Sequence, residues 1–149
     1  GTGDIAISTA HLLPTSEIVV VTTPQTAAAD VAIRAGMLAP QLKQRVAGVI
    51  ENMSAFACPH CGEPIDLFGA GGADAVSQAL TANLDYDIPV LGKIPFDPRL
   101  REGGDNGAPL VLSNPDAAAS RVIDDIAHRL VSQPRGLVGK PLGISPTNS

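Results

Sequence analysis

The chain has no tryptophan, one tyrosine and three phenylalanines in 149 residues, too few rings for a platform on which nucleic-acid bases stack. Its ten lysines and arginines are scattered among fifteen acidic residues, for a net charge of −5. No basic stripe is there to follow a phosphate backbone, so nucleic acid is not expected as a partner. No apolar run approaches the roughly 20 residues of a membrane span, and no membrane association is expected. Cysteine is nearly absent. Two closely spaced residues do not make a secreted disulfide framework, which points to a reducing cytoplasm. Also missing is a glycine-rich phosphate loop ending in Lys-Ser or Lys-Thr. Gly69-Ala70-Gly71-Gly72 lacks the lysine, and Gly139-Lys140-Pro141 has proline in place of the hydroxyl that would meet Mg²⁺. As it stands, this chain is not expected to hydrolyse ATP.

What is present suffices for one domain, with 44% apolar residues. Ile18-Val19-Val20-Val21 reads as a strand buried on both faces of a parallel sheet. Ala28, Val31, Ala32, Ala35, Leu38 and Leu42 then recur at helical spacing, with Thr26 as the expected N-cap. Val46 to Ile50 gives a second strand and Val90 to Ile94 a third, separated by a helical segment from about Gly72 to Leu84. This alternation predicts an α/β fold with a mostly parallel sheet and flanking helices. A last helix is expected to be capped by Asn114, with Pro115 at its first position and Ala119, Val122, Ile123, Ile126, Ala127 and Leu130 on one face. The domain is expected over residues 1–133. The Pro-, Gly- and Ser-rich stretch 134–149 is expected to be a disordered tail. Gly1-Thr2-Gly3-Asp4 reads as the middle of a loop, which suggests a piece of a longer protein.

Both cysteines lie in Cys58-Pro59-His60-Cys61-Gly62, within an insertion from Ala55 to Gly71 in which Ile65, Leu67 and Phe68 could form a short strand. Two thiols at this spacing can share a metal or cluster, or act as a redox pair. Iron–sulfur clusters and structural zinc usually take four ligands of this type, so one chain supplies half a site. The missing half comes most simply from a second copy, which predicts a homodimer. The main competitor is a four-thiolate zinc site that only clamps such a dimer. A thiol–disulfide oxidoreductase is the other alternative. There the motif opens a helix whose N-terminus depresses the thiol pKa, whereas Pro64 here disfavours helix just after the motif. His60, between the two cysteines, reads as an exposed loop residue.

Three loops follow the carboxyl ends of the expected strands, the edge at which open α/β sheets bind ligands. They are Thr22 to Gln25, Asn52, and Pro95-Phe96-Asp97. Together they could wall a pocket in which Asn52 offers an amide to an adenine edge. Asp4 reads either as part of a nucleotide-sensing loop or as a helix N-cap. Lys93 and Arg99 read as solvated surface charges.

The ordered set Gly-Thr-Gly-Asp (1–4), Val-Val-Val-Thr-Thr-Pro-Gln (19–25), Gly-Val-Ile-Glu-Asn-Met-Ser (48–54), Cys-Pro-His-Cys-Gly (58–62), Leu-Gly-Lys-Ile-Pro-Phe-Asp (91–97) and Gly-Gly-Asp-Asn-Gly-Ala-Pro (103–109) closely resembles the Mrp/ApbC family. These are iron–sulfur cluster carrier ATPases of the deviant P-loop class, related to septum-site and plasmid-partition ATPases. The resemblance covers Gly1 to about Val131. It implies a homodimer that holds a labile 4Fe-4S cluster between two Cys-x-x-Cys loops and passes it to apo iron–sulfur proteins. It also implies cluster ligation by Cys58 and Cys61 and adenine contact by Asn52. Pro95 and Asp97 fall on the loop that packs around the base, and Asp4 falls where nucleotide state is coupled to the dimer interface. The family's phosphate loop and Mg²⁺ motif are missing. ATP, Mg²⁺ and hydrolysis are therefore expectations for a full-length parent, and weak or no nucleotide binding is expected of these 149 residues.

Overall fold

The computed structural model describes residues 4–132. Of the expected loop Gly1-Thr2-Gly3-Asp4, Asp4 is helical, and the first three residues, like the expected tail 134–149, lie outside the described residues. Three strands, β1 (Ile18–Thr22), β2 (Val46–Glu51) and β5 (Val90–Lys93), pair in parallel in the order β1-β2-β5. Helix α1 (Asp4–Leu12) precedes β1, α2 (Thr26–Gly36) links β1 to β2, and α3 (Gly72–Leu84) precedes β5. The fold is the α/β arrangement that the apolar runs predict.

Strand β2 is the centre of this sheet, and its residues Val46, Ala47, Gly48, Val49 and Glu51 are buried. Helices α2 and α3 cover one face, where Val46, Val49, Val76, Leu80 and Ile88 are fully enclosed with Ala29, Ala32 and Ala73. Each of the large apolar residues contributes about 1.5–3 kcal/mol by leaving water. The two helices approach closely at Gly36, where a Cβ would stand 2.7 Å from Leu80 Cδ1. Strand β1 differs from its expected two-sided burial: Val20 is 5% exposed but Val21 is 58% exposed. Successive residues of a strand point to opposite faces, and the face that carries Val21 is left open while the face that carries Val20 is covered.

Three boundaries also differ. Helix α2 ends at Gly36 rather than running to Leu42. Glycine is a poor helix former, and Pro40 has no amide with which to continue the ladder to Gly36. The Ala39 amide bonds the Gly36 carbonyl instead (3.0 Å), and turns carry the chain to Lys43. The cap of α2 is Gln25, in extended backbone, and Thr26 is already helical; the Gln25 side chain accepts a hydrogen bond from the Thr23 hydroxyl. The last helix, α6 (Ala118–Ser132), starts three residues after Pro115. A short helix, α5 (Leu110–Ser113), runs into Asn114, and a turn closed by the Ala117 amide on the Asn114 carbonyl (3.2 Å) intervenes. On α6, Ala119 and Ile126 are buried, Val122, Ile123 and Leu130 half-buried, and Ala127 exposed.

Helix α6 packs over β5 because Gly92 leaves room for it. A Cβ there would lie 2.6 Å from Ile126 Cγ1. One further helix, α4 (Pro98–Asn106), has no buried residue and therefore no apolar period to announce it. The insertion folds as an antiparallel hairpin of β3 (Phe56–Ala57) and β4 (Pro64–Ile65), with Phe56 opposite Ile65. Ile65 is in a strand as expected, whereas Leu67 makes only an isolated bridge to Gly69 and Phe68 lies in no strand. Among the described residues no helix is long and apolar enough to cross a membrane.

Candidate cysteine site at the carboxyl edge of the sheet

Cys58 and Cys61 occupy the connection between β3 and β4, and both are free thiols. The turn is closed by the Cys58 amide on the Glu63 carbonyl and by the Gly62 amide on the Cys58 carbonyl, each 2.8 Å. Gly62 has φ +77°, with nothing within 4 Å of a Cβ placed there. Its role is conformational: the left-handed turn lets the chain double back immediately after Cys61. The Cys58 thiol is held below its ordinary pKa, first by the Cys61 backbone N–H, then by the His60 backbone N–H and the Cys61 side chain. Hydrogen bonds of this kind favour the thiolate, which is the form that ligates metal.

Cys61 and His60 are exposed, and the Cys61 thiol lies 4.0 Å from Glu63 Oε2. No group of three or more His, Cys, Asp or Glu side chains placed to hold a metal ion occurs among the described residues. The donor set therefore fits a soft metal or an iron–sulfur cluster, and it is half of what either needs. The motif sits in a hairpin turn and opens no helix, so the helix-terminus activation typical of thiol oxidants is missing here.

The insertion is fastened to the carboxyl edge of the sheet at both ends. On entry, the Ser54 amide bonds the Ile94 carbonyl (3.0 Å) and the Phe96 amide bonds the Ala55 carbonyl (2.7 Å). On exit, Glu51 reaches from the end of β2 to the start of α3, where its Oε2 accepts the Ala73 amide at 2.9 Å. Glu51 is only 2% exposed. A carboxylate at this place satisfies one of the free amides of the first helical turn and complements the positive end of the helix. Gly72, beside it, packs against the loop after β1, where a Cβ would stand 2.3 Å from the Thr23 carbonyl oxygen.

The expected nucleotide residues are only partly brought together. Asn52 follows β2, its amide bonded to the Thr22 carbonyl (2.8 Å), and its Oδ1 accepts the amide of Met53 (2.9 Å). Asn52, Thr22 and Thr23 line one end of a groove of about 790 Å³ that runs along β1 and α2. Pro95 and Asp97 follow β5 and do not line it. Asp97 is the N-cap of α4, accepting the Arg99 amide at 3.0 Å, and it also pairs with the Arg99 guanidinium at 2.7 Å. That pairing, led by the side-chain hydrogen bond, holds the Asp97 carboxyl below the usual carboxylate range. Asp4 is the first residue of α1.

Lys93 and Arg99, read from sequence as solvated charges, each have a partner: Lys93 pairs with Asp74 on α3 at 2.6 Å. Glu51 was the residue that sequence reasoning passed over. A carboxylate ending an otherwise apolar strand was the signal that could have found it.

A family model described as "ParA: NUBPL iron-transfer P-loop NTPase" matches residues 1–131. The iron-sulfur cluster carrier protein of Mycobacterium tuberculosis (strain ATCC 25618 / H37Rv) is 50% identical over 147 residues, which is 99% of this chain and 38% of that protein. The iron-sulfur cluster carrier protein of Escherichia coli (strain K12) is 35% identical over 133 residues, 89% of this chain and 34% of that protein. The chain thus spans 38% of the length of the mycobacterial relative. Among solved structures, a nucleotide-binding protein in complex with ADP from Archaeoglobus fulgidus superposes with a TM-score of 0.58 at 32% identity, covering 80% of this chain and 45% of that one. The cell division ATPase MinD of Pyrococcus furiosus, with a TM-score of 0.53 at 20% identity over 77% of this chain and 42% of that one, shares the fold.

Proposed function

This chain belongs to the NUBPL-type iron-transfer P-loop NTPase family, and we propose that it carries the cargo site of an iron–sulfur cluster carrier. In this reading Cys58 and Cys61 of two copies together hold one 4Fe-4S cluster on a twofold axis and release it to apo iron–sulfur proteins. The observation that carries the proposal is the pair of free thiols in an exposed hairpin turn, with no group of three or more His, Cys, Asp or Glu side chains placed to hold a metal ion among the described residues.

The local chemistry suits holding and release alike. The Cys61 and His60 backbone N–H groups that lower the Cys58 pKa favour its thiolate, the form that would ligate cargo. The exposure of Cys61 lets an acceptor's thiolate approach and replace it by ligand exchange. A buried four-cysteine site in one chain would resist that exchange.

In the complete protein, ATP with Mg²⁺ would occupy the carboxyl edge of the sheet, with Asn52 offering its amide to the base and Pro95, Asp97 and Asp4 near the nucleotide. The Asp97–Arg99 pair leaves Asp97 an indirect part, shaping the loop through the cap of α4. Hydrolysis is assigned to the complete protein, since no phosphate loop ending in Lys-Ser or Lys-Thr is present in this chain.

Anaerobic reconstitution of the complete polypeptide with iron and sulfide tests the proposal. A brown, oxygen-sensitive dimer is expected, and loss of colour in the Cys58→Ser, Cys61→Ser double variant. A colourless dimer holding zinc, with no uptake of iron and sulfide, would establish a structural clamp instead.

A further inference from the structure

The three phenylalanines of the chain, at positions 56, 68 and 96, converge on one place. Phe96 stands edge-on to Phe56, with ring centroids 5.9 Å apart at 70°, and edge-on to Phe68, at 6.1 Å and 60°. Phe56 lies in β3, two residues before Cys58, and Phe68 lies just beyond β4 on the return limb of the insertion. Phe96 stands between Pro95 and Asp97 in the loop after β5. The rest of the hairpin has little else to hold it: Ala57, Pro64 and Ile65 are all exposed, whereas the three rings are half-buried.

We propose that Phe96 is a positioning residue that seats the cysteine hairpin on the loop after β5, so that a shift of that loop is delivered to Cys58 and Cys61. The inference rests on the reading above, in which the hairpin carries cargo and the carboxyl edge takes nucleotide. Its physical basis is the asymmetry of the attachment. The chain at Phe96 is fixed to the sheet two residues before it, where the Ile94 amide bonds the Glu51 carbonyl at the end of β2 (2.7 Å), while the Phe96 amide bonds the Ala55 carbonyl at the first residue of the insertion (2.7 Å). The Phe96 ring meets both limbs of the insertion at once. Edge-to-face ring pairs are directional, so moving Phe96 moves or releases both partners, where an aliphatic contact would slide. The Pro95–Asp97 loop is itself anchored on its far side, since Asp97 caps α4. Ring, cap and strand end therefore form one short connection between the sheet edge and the thiols.

The test is amide hydrogen exchange on the complete polypeptide, with and without MgADP. Phe96→Ala is expected to speed exchange at the Cys58 and Gly62 amides at least about fivefold, the loss of two aromatic pairs. Exchange at the core amides of Val49 and Leu80 is expected to stay at the wild-type rate. Phe96→Tyr, which keeps the ring, is expected to behave as wild type, and Phe68→Leu to show part of the effect if Phe96→Ala fails to fold. MgADP is expected to change hairpin exchange in the wild type and to bind Phe96→Ala without changing it.

Hairpin exchange that is unaltered in Phe96→Ala, or raised equally at the core amides, overturns the proposal. So does a nucleotide response that survives the substitution, or one missing from the wild type. Iron and sulfide uptake by the wild type, assayed separately, tests the cargo reading by itself.

Discussion

Replacing Glu51 by alanine is the sharpest stability test of how the cysteine insertion is joined to the sheet. Glu51 is 2% exposed, and its carboxylate accepts the amide of Ala73 at the head of α3. Truncation removes a hydrogen bond to a charged acceptor, about 1.5–3 kcal/mol. It also removes a negative charge from the positive end of a helix, about 0.3–1 kcal/mol. A cavity is left as well, although α3 can relax partly into it. The sum is a loss of about 2–4 kcal/mol. Glu51→Gln keeps the shape and an acceptor oxygen, so it should lose only about 1 kcal/mol. Urea denaturation at constant m-value reads both numbers. Alanine should cost clearly more than glutamine, and the α3 amides near Ala73 should lose exchange protection in the alanine variant first. If Glu51→Ala changes stability by less than about 0.5 kcal/mol, the range of an ordinary surface substitution, the carboxylate is not the tie described here.

Two further predictions use the same loops. Gly72→Ala sits at the first position of α3, where helix propensity alone favours alanine by about 1 kcal/mol. Its Cβ would however stand 2.3 Å from the Thr23 carbonyl and 2.9 Å from Pro24 Cα, so a net loss of about 1–3 kcal/mol is expected in urea titration, and a stabilised variant would contradict the packing. Asp97→Asn keeps a good N-cap but removes the ion pair with Arg99, so the loss at pH 7 should be under about 1 kcal/mol. Because the folded carboxyl lies below its ordinary value, that difference is present above the unfolded pKa of about 3.9 and disappears as pH falls through the folded one; a gap that widens in acid would refute the assignment.

The sheet was legible because its strands are short apolar runs bounded by turn residues, and β2, buried on both faces, shows the pattern in full. Strand β1 has the same composition yet leaves Val21 open, since composition does not tell whether a neighbour covers a strand. The ends of α2 and the start of α6 were misread for local reasons. Pro40 and Gly36 stop a helix that periodicity would carry on, and the turn after α5 takes up Asn114 and Pro115. Helix α4 was missed although Asp97-Pro98 is a sound N-terminal signal, because a helix with no buried face offers no period to read.

The cysteine pair was visible because its chemistry is local: two thiols and a glycine within five residues. Its attachment was not visible. Glu51 and Ala73 are 22 residues apart in sequence, and the three phenylalanines are separated by whole elements, so only the completed fold brings them together. Asp97 illustrates the opposite case. It lies in the loop after β5 but does not line the groove at Asn52, and its neighbour Arg99, read from sequence as a surface charge, takes up the carboxylate.

Native mass spectrometry of the iron- and sulfide-loaded complete polypeptide, prepared without oxygen, addresses the sharing of ligands between copies most directly. The account predicts that iron and sulfide appear only in particles of two chains, and that these particles carry a single cluster. Heterodimers pairing a wild-type chain with a Cys58→Ser, Cys61→Ser chain should hold none. A lone chain retaining the full four irons of one cluster would contradict the account.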